Sequence, residues 1–244
     1  MTLLSRSAAP RAAGPNNQLL AALPTEEYQR LVPHLTTVRV EWKQVLYEKG
    51  APVTEVYFPK GGVYSVTTAM SDGGMVECAS VGSEGMVGVE CLLRKGATAF
   101  GETMLQIPES EADVMPAEAL RRAIADGGTL ADLLGRHLQV AVGEMMQSVS
   151  CIALHNVHER CCRWLLSSHD RLNTDEFLLT QEFLATMLGA RRQTVAVVAG
   201  TLQKAGFIRY RHGRMTILNR DGLEAGACEC YAVLREQREA LFSA

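Results

Sequence analysis

The segment from Thr180 to Lys204, "TQEFLATMLGARRQTVAVVAGTLQK", leaves the backbone few options. Thr180 is a good N-cap for a first helix, whose apolar face is Phe183, Leu184, Met187 and Leu188. Gly189 follows where a chain leaving a helix needs a left-handed residue. The spacing predicts a second helix from about Arg191 to Lys204. Its buried stripe is Val195, Val198, Ala199 and Leu202, at steps of three and four residues. Ala185 is small where the two helices would cross. Two helices joined by a tight glycine turn make a helix-turn-helix.

The polar groups of the second helix crowd one end. Arg191, Arg192 and Gln193 fall in its first turn, where free N–H groups and the positive end of the helix dipole also point. Cations there oppose the dipole, so an external anion accounts for them better than solvent does. Arg pairs with guanine O6/N7 and Gln with adenine N6/N7, at about 1–3 kcal/mol of discrimination per good pair. The candidate base readers are therefore Arg192 and Gln193, with Ala196 and Val197 one turn on to meet thymine methyls. Downstream, "GFIRYRHGRMTILN" alternates as a hairpin with His212-Gly213 at its turn. Its Arg209, Arg211 and Arg214 are candidate phosphate contacts, together with Arg191, Thr180, Gln181 and Thr194. The whole reads as a winged helix that binds double-stranded DNA.

Upstream the period changes. From Val38 to Glu109, runs such as "VRVEW", "EVYFPKGGVYSVTTAM" and "MVECASVG" are short, rich in Val, Tyr and Thr, and separated by Gly or Pro. That pattern predicts an antiparallel sandwich or barrel, with "SDGG" at 71–74 as a hairpin turn. After Gly127-Gly128 a long helix is expected over 129–153. Leu130, Leu134, Leu138, Ala141, Met145, Ser148 and Ile152 recur along it in a near-heptad, which predicts pairing with the same helix of a second copy. Charge divides along the same line. Residues 17–128 hold nine Lys/Arg against fifteen Asp/Glu, and residues 170–220 hold eight against four. An acidic half before a basic segment suits a chain of which one part meets a polyanion.

These residues resemble the cyclic-AMP receptor protein/Fnr (Crp/Fnr) superfamily of bacterial transcription regulators. The likeness covers about 17–220 and rests on "LLAALPTEEYQRLVPHL", the "VGSEGMVG" turn, the long linking helix and, most specifically, "LTQEFLATMLGARRQTVAVVAGTLQKAGFIRYRHGRMTIL". It implies an α+β fold: a β jelly-roll sensor domain of cyclic-nucleotide-binding type at 17–128, the dimerisation helix at 129–153 and a winged helix-turn-helix at 154–220. Outside it, the Ala-, Pro-, Gly- and Asn-containing lead at 1–16 is expected to be disordered. Residues 221–244 read as an additional amphipathic helical extension that the family core does not need, packed on the winged domain or on the partner subunit. The resemblance further implies a homodimer on a two-fold DNA site, with RNA polymerase as a further partner. Arg192 matches the arginine that meets guanine in many members. Gln193 and Val197 stand where a glutamate and a second arginine are common, so the target should differ from the best-known family site.

The sensor departs further. Members that bind cyclic nucleotides carry a Gly-Glu motif and an Arg-Ser or Arg-Thr pair, whereas Gly88-Val89 falls at the first and Ala97-Thr98-Ala99 near the second, with no arginine. A buried phosphate without a cation costs several kcal/mol. An unknown small-molecule effector, or none, is expected in place of cyclic AMP, with Glu84, Gly88, Val89 and Thr98 as candidate pocket residues.

The chain reads as no enzyme. A cupin-like metal centre needs barrel histidines, and no His occurs between His34 and His137; P-loop, G-x-S-x-G and G-x-G-x-x-G motifs are absent. Seven cysteines without a C-x-x-C pair suggest reduced thiols in a cytoplasmic protein, each a small buried hydrophobe. The first cysteine is Cys78, which argues against the family's N-terminal iron–sulfur cluster. Neither a metal site, a haem site nor a membrane partner is expected. The rival reading is a nucleotide-sensing regulatory subunit whose C-terminal domain grips protein instead of DNA.

Overall fold

The computed structural model describes residues 15–71, 73–107 and 110–243, so most of the 1–16 lead lies outside the described residues. The described residues group into two compact units: one runs to Val66 and continues through Ser80–Val142 and the chain end from Ala240, and the other holds Thr67–Ala79 and Gly143–Glu239.

The first unit opens with α1 (Gln18–Ala21) and α2 (Thr25–Leu31). Asn17 caps α1 by accepting the Leu20 N–H, and its buried amide also donates to the carbonyls of Pro59 and Gly85 at 3.0 and 2.8 Å. One side chain thus ties the start of the fold to two later turns. Strands β1 (Thr36–Val40), β2 (Val45–Tyr47), β3 (Glu55–Pro59), β4 (Val63–Ala69), β5 (Met75–Val81), β6 (Glu102–Ile107) and β7 (Ser110–Pro116) follow, the end of β4 and most of β5 grouping with the second unit. They form one sheet of order β1-β7-β3 and another of order β2-β6-β4-β5, the two faces of the jelly roll. The inward positions, among them Val38, Val40, Val56, Phe58, Tyr64, Leu105, Ala112 and Val114, make one core. In the hairpin turn of 71–74, Gly73 takes the left-handed backbone (φ +85°).

Helix α3 (Ala117–Ala123) leads to α4 (Thr129–Leu154), whose bounds fall within a residue of the expected 129–153. The Glu27 carboxylate accepts the N–H groups of Leu130 and Thr129 at 2.9 and 3.2 Å, satisfying two donors that the first turn of α4 cannot. Those bonds hold Glu27 below the usual carboxylate range.

In the second unit, Asn156 and Glu159 build a reciprocal capping box for α5 (Val157–Leu172). Then come β8 (Glu176–Leu178), α6 (Gln181–Leu188), α7 (Arg192–Lys204), β9 (Ile208–Arg211), β10 (Arg214–Ile217), α8 (Arg220–Gly226) and α9 (Cys230–Leu241). The wing is a three-stranded sheet of order β8-β10-β9, one strand more than the expected hairpin. Leu223 of α8 is fully buried, and α8 packs against α5 within this unit. Polar contacts hold α9 in the same unit. Tyr231 donates to Asp170 at 3.0 Å, and Arg238 reaches Glu144 at 3.2 Å. Among the described residues, no helix is long and apolar enough to cross a membrane.

Candidate nucleic-acid interface

Thr180 caps α6, its hydroxyl accepting the Phe183 N–H at 3.1 Å. Gly189 ends the helix in the left-handed region (φ +56°). The corner is then secured from beneath: buried Arg160, on α5, donates to the Leu188 carbonyl, one of the acceptors that a helix C-terminus leaves open. On α7, Val195, Val198, Ala199 and Leu202 are buried as the periodicity predicts.

The polar end faces outward. Arg191 stands at the N-cap of α7, and Arg192, Gln193 and Thr194 fill the first turn; all four are exposed. Val197 is 70% exposed one turn on, which for an apolar side chain on an ordered helix is a surface open to contact. Ala196 and Gln181 are half-buried. On the wing, His212 and Gly213 both take positive φ, 51° and 74°, as a two-residue hairpin turn of this hand requires. Arg209, Arg211 and Arg214 are exposed on the paired strands. They are not equivalent, because the Arg214 guanidinium pairs with Glu176 at 3.0 Å.

A Crp-like helix-turn-helix domain model matches residues 159–225, the span from α5 to α8. Transcriptional regulator SdrP of Thermus thermophilus is 27% identical over 162 residues, covering 62% of this chain and 79% of that one. Among solved structures, FixK2 from Bradyrhizobium japonicum superposes with a TM-score of 0.68 at 17% identity, over 80% of this chain and 98% of that one. A CRP/FNR-family transcriptional regulator from Thermus thermophilus gives 0.63 at 20%, over 78% and 97%. The c-di-GMP-responsive global regulator CLP of Xanthomonas campestris gives 0.64 at 17%, over 80% and 99%. Residues 159–225 therefore hold a Crp-like helix-turn-helix, in a chain that shares the fold of these structures. A helix-turn-helix of this type is a DNA-binding domain.

In the first unit the candidate effector residues hold separate local posts. The Glu84 carboxylate accepts the Gly82 N–H at 3.1 Å. Gly88 takes φ +92°, and a Cβ there would lie 3.2 Å from the Glu55 carbonyl and 3.3 Å from the Tyr47 hydroxyl. Val89 opens a short 3-10 turn, and Thr98 is exposed in a backbone bridge with Pro52. Sequence reasoning missed Glu90, which is buried and accepts the Phe100 N–H at 3.0 Å.

The expected dimer face of α4 also shifts. Leu130 and Leu134 belong to the core of their own unit and have no surface to offer a partner, a correction to the predicted seam. Leu138, Ala141, Met145 and Ser148 are half-buried, while Ile152 is exposed. The exposed apolar stripe runs one position over, through Val142, Met146 and Val149, at steps of four and three. Met146 and Val149 are 68% and 70% exposed, against 3% and 1% for Leu130 and Leu134. The sequence held this second stripe too; periodicity alone does not say which of two stripes the core takes.

Cys161 and Cys162 are buried in α5. Burial pushes the Cys161 thiol well up and Cys162 to about 11, so neither is a ready nucleophile.

Proposed function

We propose that this chain works as a homodimer that reads a two-fold-symmetric DNA site, α7 of each copy entering the major groove with Arg192 and Gln193 foremost. The observation that carries the reading is the exposed first turn of α7 on a corner fixed by Gly189 and Arg160. Arg191, Thr194, Arg209 and Arg211 would meet phosphates around it, with Arg214 held toward Glu176 until a phosphate competes. Pairing of α4 through Val142, Met146 and Val149 would set the two recognition helices about 34 Å apart, one turn of duplex. The resemblance brings RNA polymerase in as a further partner.

The sensor domain receives a signal other than a cyclic nucleotide. What supports this is chemical: the second motif supplies no arginine, and the Glu84 carboxylate is already engaged by the Gly82 N–H.

Sequencing of genomic fragments retained by the purified protein tests the reading. The expected result is an enriched motif with two inverted half-sites whose centres lie one helical turn apart. Retention without sequence preference, or a motif with a single half-site, overturns it.

A further inference from the structure

Where α4 ends and α9 begins, three sulfurs and an imidazole nitrogen meet. Cys151 lies in the last turn of α4, and His155 follows four residues on. Cys228 and Cys230 flank Glu229 at the start of α9. We propose that Cys151, His155, Cys228 and Cys230 form a tetrahedral site for a zinc-class divalent metal ion.

The distances fit one ion. All four ligand atoms lie within 4.8 Å of one another. Cys151 Sγ is 3.5 Å from Cys228 Sγ, and Cys230 Sγ is 3.6 Å from His155 Nδ1. Bonds of about 2.3 Å to sulfur and 2.0–2.1 Å to nitrogen at tetrahedral angles place ligand atoms roughly 3.5–3.8 Å apart. A cluster with two irons would spread its ligand atoms wider than this group allows. Soft thiolates with one imidazole select zinc over the hard cations magnesium and calcium. Three of the four ligands are buried, as suits a closed structural site.

The groups behind the ligands point the same way. His155 directs Nδ1 at the sulfurs, and its Nε2 lies 3.0 Å from a Glu229 carboxylate oxygen. That carboxylate fixes the tautomer that leaves the Nδ1 lone pair free, as carboxylates bonded to the outer ring nitrogen do for metal-bound histidines. Gln147 donates to Cys230 Sγ at 3.0 Å. Arg160 and Arg163 lie within electrostatic reach of Cys151, where they offset the surplus negative charge of three thiolates around a dication.

Plain apolar filling accounts for less. The three cysteines form a buried cluster of their own, with polar partners directed at their sulfurs. Cys161 and Cys162, by contrast, are adjacent on one helix and have no place in the group. A bound ion would fasten the start of α9 to the end of α4 and so fix the platform that carries the winged helix.

The test is metal analysis of the full-length protein, purified with reductant and without air, followed by replacement with Co2+. The expected result is about one zinc per chain and a cobalt form with thiolate-to-cobalt charge transfer and the intense visible bands of tetrahedral coordination. Cys228→Ser should abolish both, while Cys161→Ser should leave both intact. Because Cys228→Ser can disturb folding, Glu229→Gln gives a second reading: it keeps every ligand and should weaken Co2+ binding about 10–100-fold. No uptake of zinc or cobalt by the reduced wild type overturns the proposal. So does iron with cluster absorbance, a Cys151–Cys228 disulfide in the anaerobic protein, or metal content indifferent to both Cys228→Ser and Glu229→Gln.

Discussion

Met86 donates its backbone N–H to Nε2 of His137 at 3.2 Å, joining the "VGSEGMVG" turn of the β-rich domain to α4. The fit is close, since a Cβ on Gly85 would lie 2.6 Å from His137 Cε1. Only a neutral imidazole can accept that bond. Burial holds the His137 pKa below its ordinary 6.5, against the weaker upward pull of the Met86 bond and the Glu84 charge. Below pH 6.5 the unfolded chain therefore takes up a proton that the folded chain refuses. The contribution to stability is complete above pH 6.5 and is lost as pH falls from there toward the folded pKa. Urea midpoints of the wild type should drop between pH 7 and pH 5, and His137→Gln should flatten that drop; equal slopes for the two proteins would contradict the assignment.

Arg192→Ala should weaken binding to the enriched operator by about 1–3 kcal/mol, with relaxed preference at one base pair of each half-site. Arg209→Ala and Arg211→Ala should act differently. Each should lower the slope of log affinity against log salt by about 0.9 and weaken all sequences alike. Fluorescence anisotropy across a salt series, on the operator and a scrambled duplex, separates the two behaviours.

The two apolar stripes of α4 should respond in opposite ways. Met146→Asp with Val149→Asp changes exposed positions, so it should convert dimer to monomer in sedimentation equilibrium while the thermal melt of the monomer stays cooperative. Leu134→Ala removes a core side chain and should cost about 2–5 kcal/mol of folding stability. A dimer that survives both aspartates would rule out this face as the interface.

Gly222→Ala and Gly200→Ala form a further contrast. A Cβ at Gly222 would lie 2.5 Å from the Phe207 ring, and overpacking of that kind costs about 1–3 kcal/mol. At Gly200, inside α7, a Cβ meets nothing within 4 Å, and the better helix former should stabilise by about 0.5–1 kcal/mol. Thermal melts of the two variants should move in opposite directions.

The helix-turn-helix was legible because its apolar stripes, its cap at Thr180 and its glycine at 189 all describe one geometry. The length of α4 was legible for the same reason. Its facing was not, since Val142, Met146 and Val149 keep the same spacing as the buried leucines beside them. Strand β8 is three residues long, too short for any period to register. The sulfur cluster was the least visible feature. Cys151 and Cys228 stand 77 positions apart, and only the fold brings them to 3.5 Å. Local patterns record what a residue does to its own helix or strand, and they say nothing of partners that meet across it.

The ties from α9 to Glu144 and Asp170 bear on how such a molecule is made. Tyr231 and Arg238 emerge from the ribosome well after α4 and α5, yet they complete polar contacts begun by those helices. The nascent DNA-reading half therefore waits, its interior unsealed, until α9 has been made. A message cut short before codon 230 would deliver a recognition helix on an unfinished mount.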